Sequence, residues 1–159
     1  MIKGEKIRLD IHNILYSIYK FNKTLNNLEI KKIISRNTKR DIALLNNVTL
    51  NSMRFHFHVS KIIKKYIKKN LRHHEQILLI SAITQIVFLD FKDYAVINCS
   101  VEIAKKLNIY HGLVNASLKK ISKNKKELKR INIEFNDLPL WFRNQTLNFN
   151  TAQKKKIFK

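Results

Sequence analysis

The sequence predicts an all-α domain, a compact bundle of about seven helices around one buried central helix. Turn-forming residues are nearly absent: 159 residues include two glycines, Gly4 and Gly112, and one proline, Pro139. An all-β fold needs many tight turns built on such residues, so helices are the architecture this chain supports. Apolar residues recur at helical spacing through most of the chain, and one continuous apolar run, Ile77 to Leu89, is 13 residues long. A helix of that length spans about 20 Å, short of the roughly 30 Å of a bilayer core, so it reads as the buried centre. Hydrophobic residues make up 45% of the chain, enough for one core in one domain.

The elements follow in order. Ile7, Ile11, Ile14, Leu15, Ile18 and Phe21 share one face of a first helix over 5–21. Thr24 is placed to cap a second, whose apolar positions are Leu25, Leu28, Ile33 and Ile34. Thr38, followed by Asp41, opens a third that turns Ile42, Leu45, Val48 and Met53 inward. The segment SKIIKKYIKKN at 60–70 is two-faced, with Ile62, Ile63, Tyr66 and Ile67 on one stripe and Lys61, Lys64, Lys65, Lys68 and Lys69 on the other. The central helix then occupies about 74–89. A helix near Tyr94 carries Val96, Ile97, Val101, Ile103 and Ala104, and one near Gly112 carries Leu113, Val114, Leu118 and Ile121. A basic stretch, KKISKNKKELKR, fills 119–130. The division expected is a helical domain over 1–136 and a basic tail over 137–159 that holds the only proline and tryptophan.

Net charge is +21, from 32 basic and 11 acidic residues. A surface so charged attracts polyanions, so nucleic acid is the expected partner class. AT-rich coding accounts for part of the lysine excess. Splitting the chain shows the charge to be spread: the sums are +7 over 1–54, +5 over 55–92, +5 over 93–136 and +4 over 137–159. The single cysteine, Cys99, excludes an internal disulfide, and the N-terminus has charges where a signal peptide needs an apolar run. A cytoplasmic protein is expected, without membrane attachment.

Three blocks between Glu75 and Ile121 carry a family resemblance. ILLISAITQIVFL is similar to a central helix that ends in a Tyr-Gln-Leu or Tyr-Glu-Leu motif. YAVINCSVEIAKKL is close to the pattern Ala-Val-Asn/Ile-Asn-Glu-x-Val-Glu-x-Ala-Lys, and GLVNASLKKI to Phe-Val-Asn-Gly-Val-Leu-Arg. In this order and separation they resemble the NusB/RsmB-type RNA-binding domain, over roughly 5–135. The chain departs from the pattern at Ile80, where the family has arginine, at Thr84, where it has an aromatic, and at Lys92 and Asp93, where a proline is usual. The resemblance implies a NusB-like bundle and a partner RNA, ribosomal RNA above all. Two branches share the domain: free-standing antitermination factors, which bind RNA together with a small ribosomal protein in a transcription complex, and the N-terminal domains of ribosomal RNA cytosine-5 methyltransferases. FNDLPLWFRNQ resembles the Pro-x-Trp-Leu segment that follows the domain in the methyltransferases, and this favours the second branch.

In the resembled family a basic N-terminal helix holds RNA, which makes Lys3, Lys6 and Arg8 candidates. Arg36 and Arg40 are further ones, because guanidinium groups stack on bases and fork onto phosphates. Lys61, Lys64, Lys65 and Lys68 fit phosphate docking, anionic lipid or a solvated face; the need for the apolar stripe in the core weighs against lipid. A methyltransferase needs a glycine-rich cofactor loop and a cysteine nucleophile beside a proline. The sequence has neither, so no cofactor and no catalytic residue are expected, and Cys99 reads as a small core residue. Of the six histidines, His56 and His58 are two apart and His73 and His74 adjacent. A helical metal site prefers i,i+4 pairs, so the histidines read as ordinary surface residues and no metal is expected.

Overall fold

A computed structural model describes residues 4–156 of the chain. Seven helices of eight or more residues form among the described residues: α1 (Glu5–Phe21), α2 (Leu28–Ser35), α3 (Lys39–Arg54), α4 (His56–Tyr66), α5 (His73–Ile83), α6 (Asp93–Lys106) and α7 (His111–Lys123). Three shorter ones follow, α8 (Lys125–Leu128), α9 (Leu140–Gln145) and α10 (Thr151–Lys156), and no strand occurs among the described residues. None of the helices among the described residues is long and apolar enough to cross a membrane. The expected all-helical bundle is the observed fold.

Helix α5 is its centre. From Ile77 to Val87 every residue is buried, so neighbours must cover the helix on all sides. They do: α1, α3, α4, α6 and α7 all pack against it. The last turn, Thr84–Phe88, widens into a π-helix in which the Leu89 N–H reaches the Thr84 carbonyl at 3.1 Å. Polar side chains inside this apolar segment bond largely within it. Thr84 Oγ1 donates to the Ile80 carbonyl at 2.8 Å, and Gln85 Nε2 donates to Ser81 O and Oγ, each at 3.2 Å. At the other end Glu75 accepts from the Arg72 backbone N–H at 2.8 Å and from Lys69 Nζ at 3.2 Å. Burial pushes the Glu75 carboxyl upward, but these donors outweigh it and hold its pKa below the ordinary value.

Several local expectations need correction. The second helix starts at Leu28, not after Thr24, because Asn27 accepts the Glu29 N–H at 3.0 Å and so caps it. Its buried residue is Ile30, while Leu25 and Leu28 are exposed; an eight-residue helix buries one narrow stripe, and the shifted start rotates that stripe onto Ile30. Thr38 does cap α3, accepting the Asp41 N–H at 3.2 Å, and Leu45 and Val48 are buried, whereas Met53 is exposed. The two-faced segment at 60–70 behaves as its pattern predicts: Ile62, Ile63 and Ile67 are buried and Lys64, Lys65 and Lys68 exposed. The helix ends at Tyr66, so Lys68 and Lys69 sit on the extended link into α5. Asn98, on α6 within the second of the three blocks, is exposed.

Ile80, fully buried in the middle of α5, tests the architecture most directly. Ile80→Ala should cost about 2–5 kcal/mol, through lost transfer energy and the cavity left behind, measured by denaturant unfolding of the two proteins.

Candidate nucleic-acid interface

Charge in this protein is sorted by pairing. Ten of the eleven acidic residues form ion pairs, with ten different basic partners. Asp10 takes Arg36, Glu5 takes Lys106, Asp93 takes Lys125 at 2.9 Å and Asp90 takes Lys129. The acidic groups are thus consumed in holding helices together, and the remaining lysines and arginines carry the surplus positive charge.

The candidates divide accordingly. Lys3 lies outside the described residues. Lys6 is exposed on the first turn of α1. Arg8 is half-buried and turned to structure: its Nε donates to Gln85 Oε1 at 2.8 Å, and one terminal nitrogen reaches the Gly4 carbonyl at 3.2 Å and Cys99 Sγ at 3.8 Å. Gly4 begins the helix with φ +84°, a conformation that suits glycine, and a Cβ there would meet the Arg8 guanidinium at 2.6 Å. Cys99 is buried, and burial pushes its thiol pKa up against the opposing pull of Arg8. Arg36 pairs with the buried Asp10, which Asn37 also contacts at 3.0 Å, while Arg40 is exposed on the first turn of α3.

The four candidate lysines at 61–68, three on α4 and Lys68 on the link after it, differ. Lys61 is bound to Asp137 at 2.8 Å and to the Asn132 carbonyl at 3.1 Å, which ties the segment after α8 to this helix. That hydrogen bond holds the Asp137 carboxyl below its ordinary pKa and raises the Lys61 ammonium. Lys65 pairs with Glu127 at 3.1 Å. Lys64 and Lys68 have no acidic partner among the described residues, and with Lys69 and Asn70 they border a groove of about 400 Å³. The structure therefore brings Lys64 and Lys68 together as exposed cations on one groove and sets Lys6 and Arg40 on other helices.

The histidines are not all surface residues. His12 is fully buried, its Nε2 sharing a hydrogen bond of 3.0 Å with His74 Nδ1. His74 stacks on Tyr16 with ring centroids 3.9 Å apart. Burial, with a smaller contribution from His74, lowers the His12 pKa to about 4. The sequence signal was available: His12 adjoins the inward Ile11 and lies four residues before Tyr16, so the apolar stripe of α1 passes over it. Among the described residues no group of three or more His, Cys, Asp or Glu side chains could hold a metal ion.

The description "NusB family" matches residues 5–123, the span of α1 through α7 with their buried α5. The chain belongs to the NusB family. No curated protein matches it. Within this NusB-family domain the three sequence blocks are mainly packing: α5 is the centre, and α6 and α7 form the most extensive helix pair. Ile80, which stands where arginine is usual, is fully buried. The family match ends with α7, so α8 and the segment after it lie outside the matched span.

The buried imidazole makes a pH prediction. His12 is neutral in the fold and has an ordinary pKa near 6.5 when unfolded, so the unfolded chain binds more protons below that pH. Its contribution is intact above about pH 6.5 and is lost as pH falls toward 4, reaching about 2 kcal/mol at pH 5. A protonated ring would also place an N–H at Nδ1, a buried atom with no hydrogen-bond partner among the described residues. His12→Leu should flatten the fall in Tm between pH 7 and 5, measured by thermal unfolding across that range.

Proposed function

We propose that this NusB-family chain is a non-catalytic RNA-binding module that acts on ribosomal RNA, of the kind that forms the N-terminal domain of ribosomal RNA cytosine-5 methyltransferases. The observation that carries RNA binding is the pairing of ten acidic residues, which leaves Lys6, Arg40, Lys64 and Lys68 exposed and without acidic partners among the described residues of a NusB-family fold. Lys3, Arg8, Arg36, Lys61 and Lys65 complete the proposed contact set. Four of these five are described residues with internal partners, so RNA would compete with or add to those contacts. The domain takes in 1–136, and 137–159 is the start of a link to a methyltransferase half. Pro139 precedes α9, and Trp141 and Leu140 on that helix are exposed, as suits a segment that another unit covers. Coding sequence after residue 159 that carries a glycine-rich cofactor loop would support this branch.

The second reading is an antitermination factor that binds RNA with a small ribosomal protein, a branch that shares the matched NusB-family domain. Pull-down of a small ribosomal protein that survives nuclease treatment would support it over the first.

Binding is tested by titrating the chain with a labelled ribosomal RNA fragment at several salt concentrations. Affinity should fall steeply with salt, because each neutralised phosphate releases counterions. Lys64→Gln with Lys68→Gln should lower the slope of log affinity against log salt by about 1.4, at about 0.7 per contact on a single strand. Affinity for the fragment no tighter than for polyglutamate would overturn the reading.

A further inference from the structure

The two lysine-rich segments, 61–69 and 119–130, lie about fifty residues apart in sequence, yet they meet around one aromatic ring. Tyr66, the last residue of α4, has Lys65 Nζ at 5.9 Å and Lys120 Nζ at 5.6 Å from its ring centroid. The ring face favours cations, so it holds two otherwise mobile ammonium groups near one place. Beside it opens a groove of about 580 Å³ lined by Lys65, Lys126, Glu127, Leu128, Arg130 and Ile131.

The spacing along α8 and the turn that continues it to Arg130 explains why cations face this groove. Lys125 and Lys129, four apart, pair with Asp93 and Asp90 and fasten the helix to the body, helped by the buried Leu128. Lys126 and Arg130, also four apart but one position further round, are exposed and have no acidic partner among the described residues. One pair anchors; the other is displayed. Glu127 is the one carboxylate in the groove, and it occupies Lys65 at 3.1 Å as a phosphate oxygen would.

We propose that this groove is a second phosphate-binding site, which grips the backbone of a single RNA strand through Lys65, Lys120, Lys126 and Arg130, with Glu127 as an internal competitor for Lys65. The site rests on the RNA-binding reading above and extends it to a surface half of which, Lys126 and Arg130, lies beyond the family match. Fixed cations without base-edge partners give backbone affinity and no sequence readout.

The test uses the full chain and a labelled oligouridylate of about 12 nucleotides, a length suited to a strand-tracking groove. Lys126→Gln with Arg130→Gln should lower the salt slope by about 1.4, while Lys31→Gln with Lys32→Gln, the same charge change on α2, leaves it nearly unchanged. Glu127→Gln should tighten binding between about twofold and fivefold, and Glu29→Gln, which removes a similarly exposed glutamate from its pair with Lys23, should not. All four proteins should unfold at the temperature of the unaltered chain within a few degrees. Equal effects of each variant and its control would overturn the groove and leave RNA binding standing, since only net charge would then matter. Failure of the unaltered chain to bind either RNA would overturn both readings. Weakened binding to anionic phospholipid vesicles with unchanged RNA binding in the double variant would overturn the RNA assignment in favour of a membrane surface.

Discussion

A helix buried on every side can exist only if other elements cover its whole circumference and if each polar group inside it finds a partner. Residues 77–87 impose both demands on this protein. The first is met by α1, α3, α4, α6 and α7, which have little freedom in where they sit once each must present an apolar stripe to the same cylinder. The second is met locally by Ser81 and Thr84, and at long range by Arg8, whose Nε reaches Gln85 across 77 residues of sequence. That one hydrogen bond couples the start of α1 to the widened last turn of α5. A π-turn often marks a place where a helix accommodates an extra group.

The surface is shaped by scarcity of negative charge. With eleven acidic residues against 32 basic ones, several carboxylates are spent between elements: Asp10 on the α2–α3 junction, Glu5 on α6, Asp93 and Asp90 on the end of α7 and α8, and Asp137 on α4. Exposed pairs of this kind contribute little stability each, in the range of about 0–1 kcal/mol. Their larger effect is positional. They decide which cations are paired and which remain open, so that paired and open charges alternate along the same helices.

Periodicity made the helices legible, because burying a face every 3.6 residues leaves a pattern in the order of residues. It recovered α1, α3, α4 and the central helix with most of their inward residues, and the Thr38 cap, although Phe21 and Met53 at the helix ends are exposed. It failed at α2, where Thr24 and Asn27 are both competent caps and only the packing of Ile30 chooses between them. It failed again at His12, since a titratable ring on an apolar stripe looks the same in sequence whether it is buried against a partner or turned to water. His74, sixty-two residues away, settles the matter. Likewise nothing local distinguishes Arg8, bound to Gln85, from Lys6, which is open to solvent.

The sequence by itself determined the all-helical class, the buried centre and the basic character, because composition and apolar spacing act through local backbone preference and burial. Tertiary structure alone decided which charges are free, that Tyr66 gathers Lys65 and Lys120, and that Lys126 and Arg130 line one groove with Lys65. These are relations between residues far apart in the chain. They depend on how helices dock around α5, and docking is governed by the shape of the shared core rather than by the pattern within any one helix.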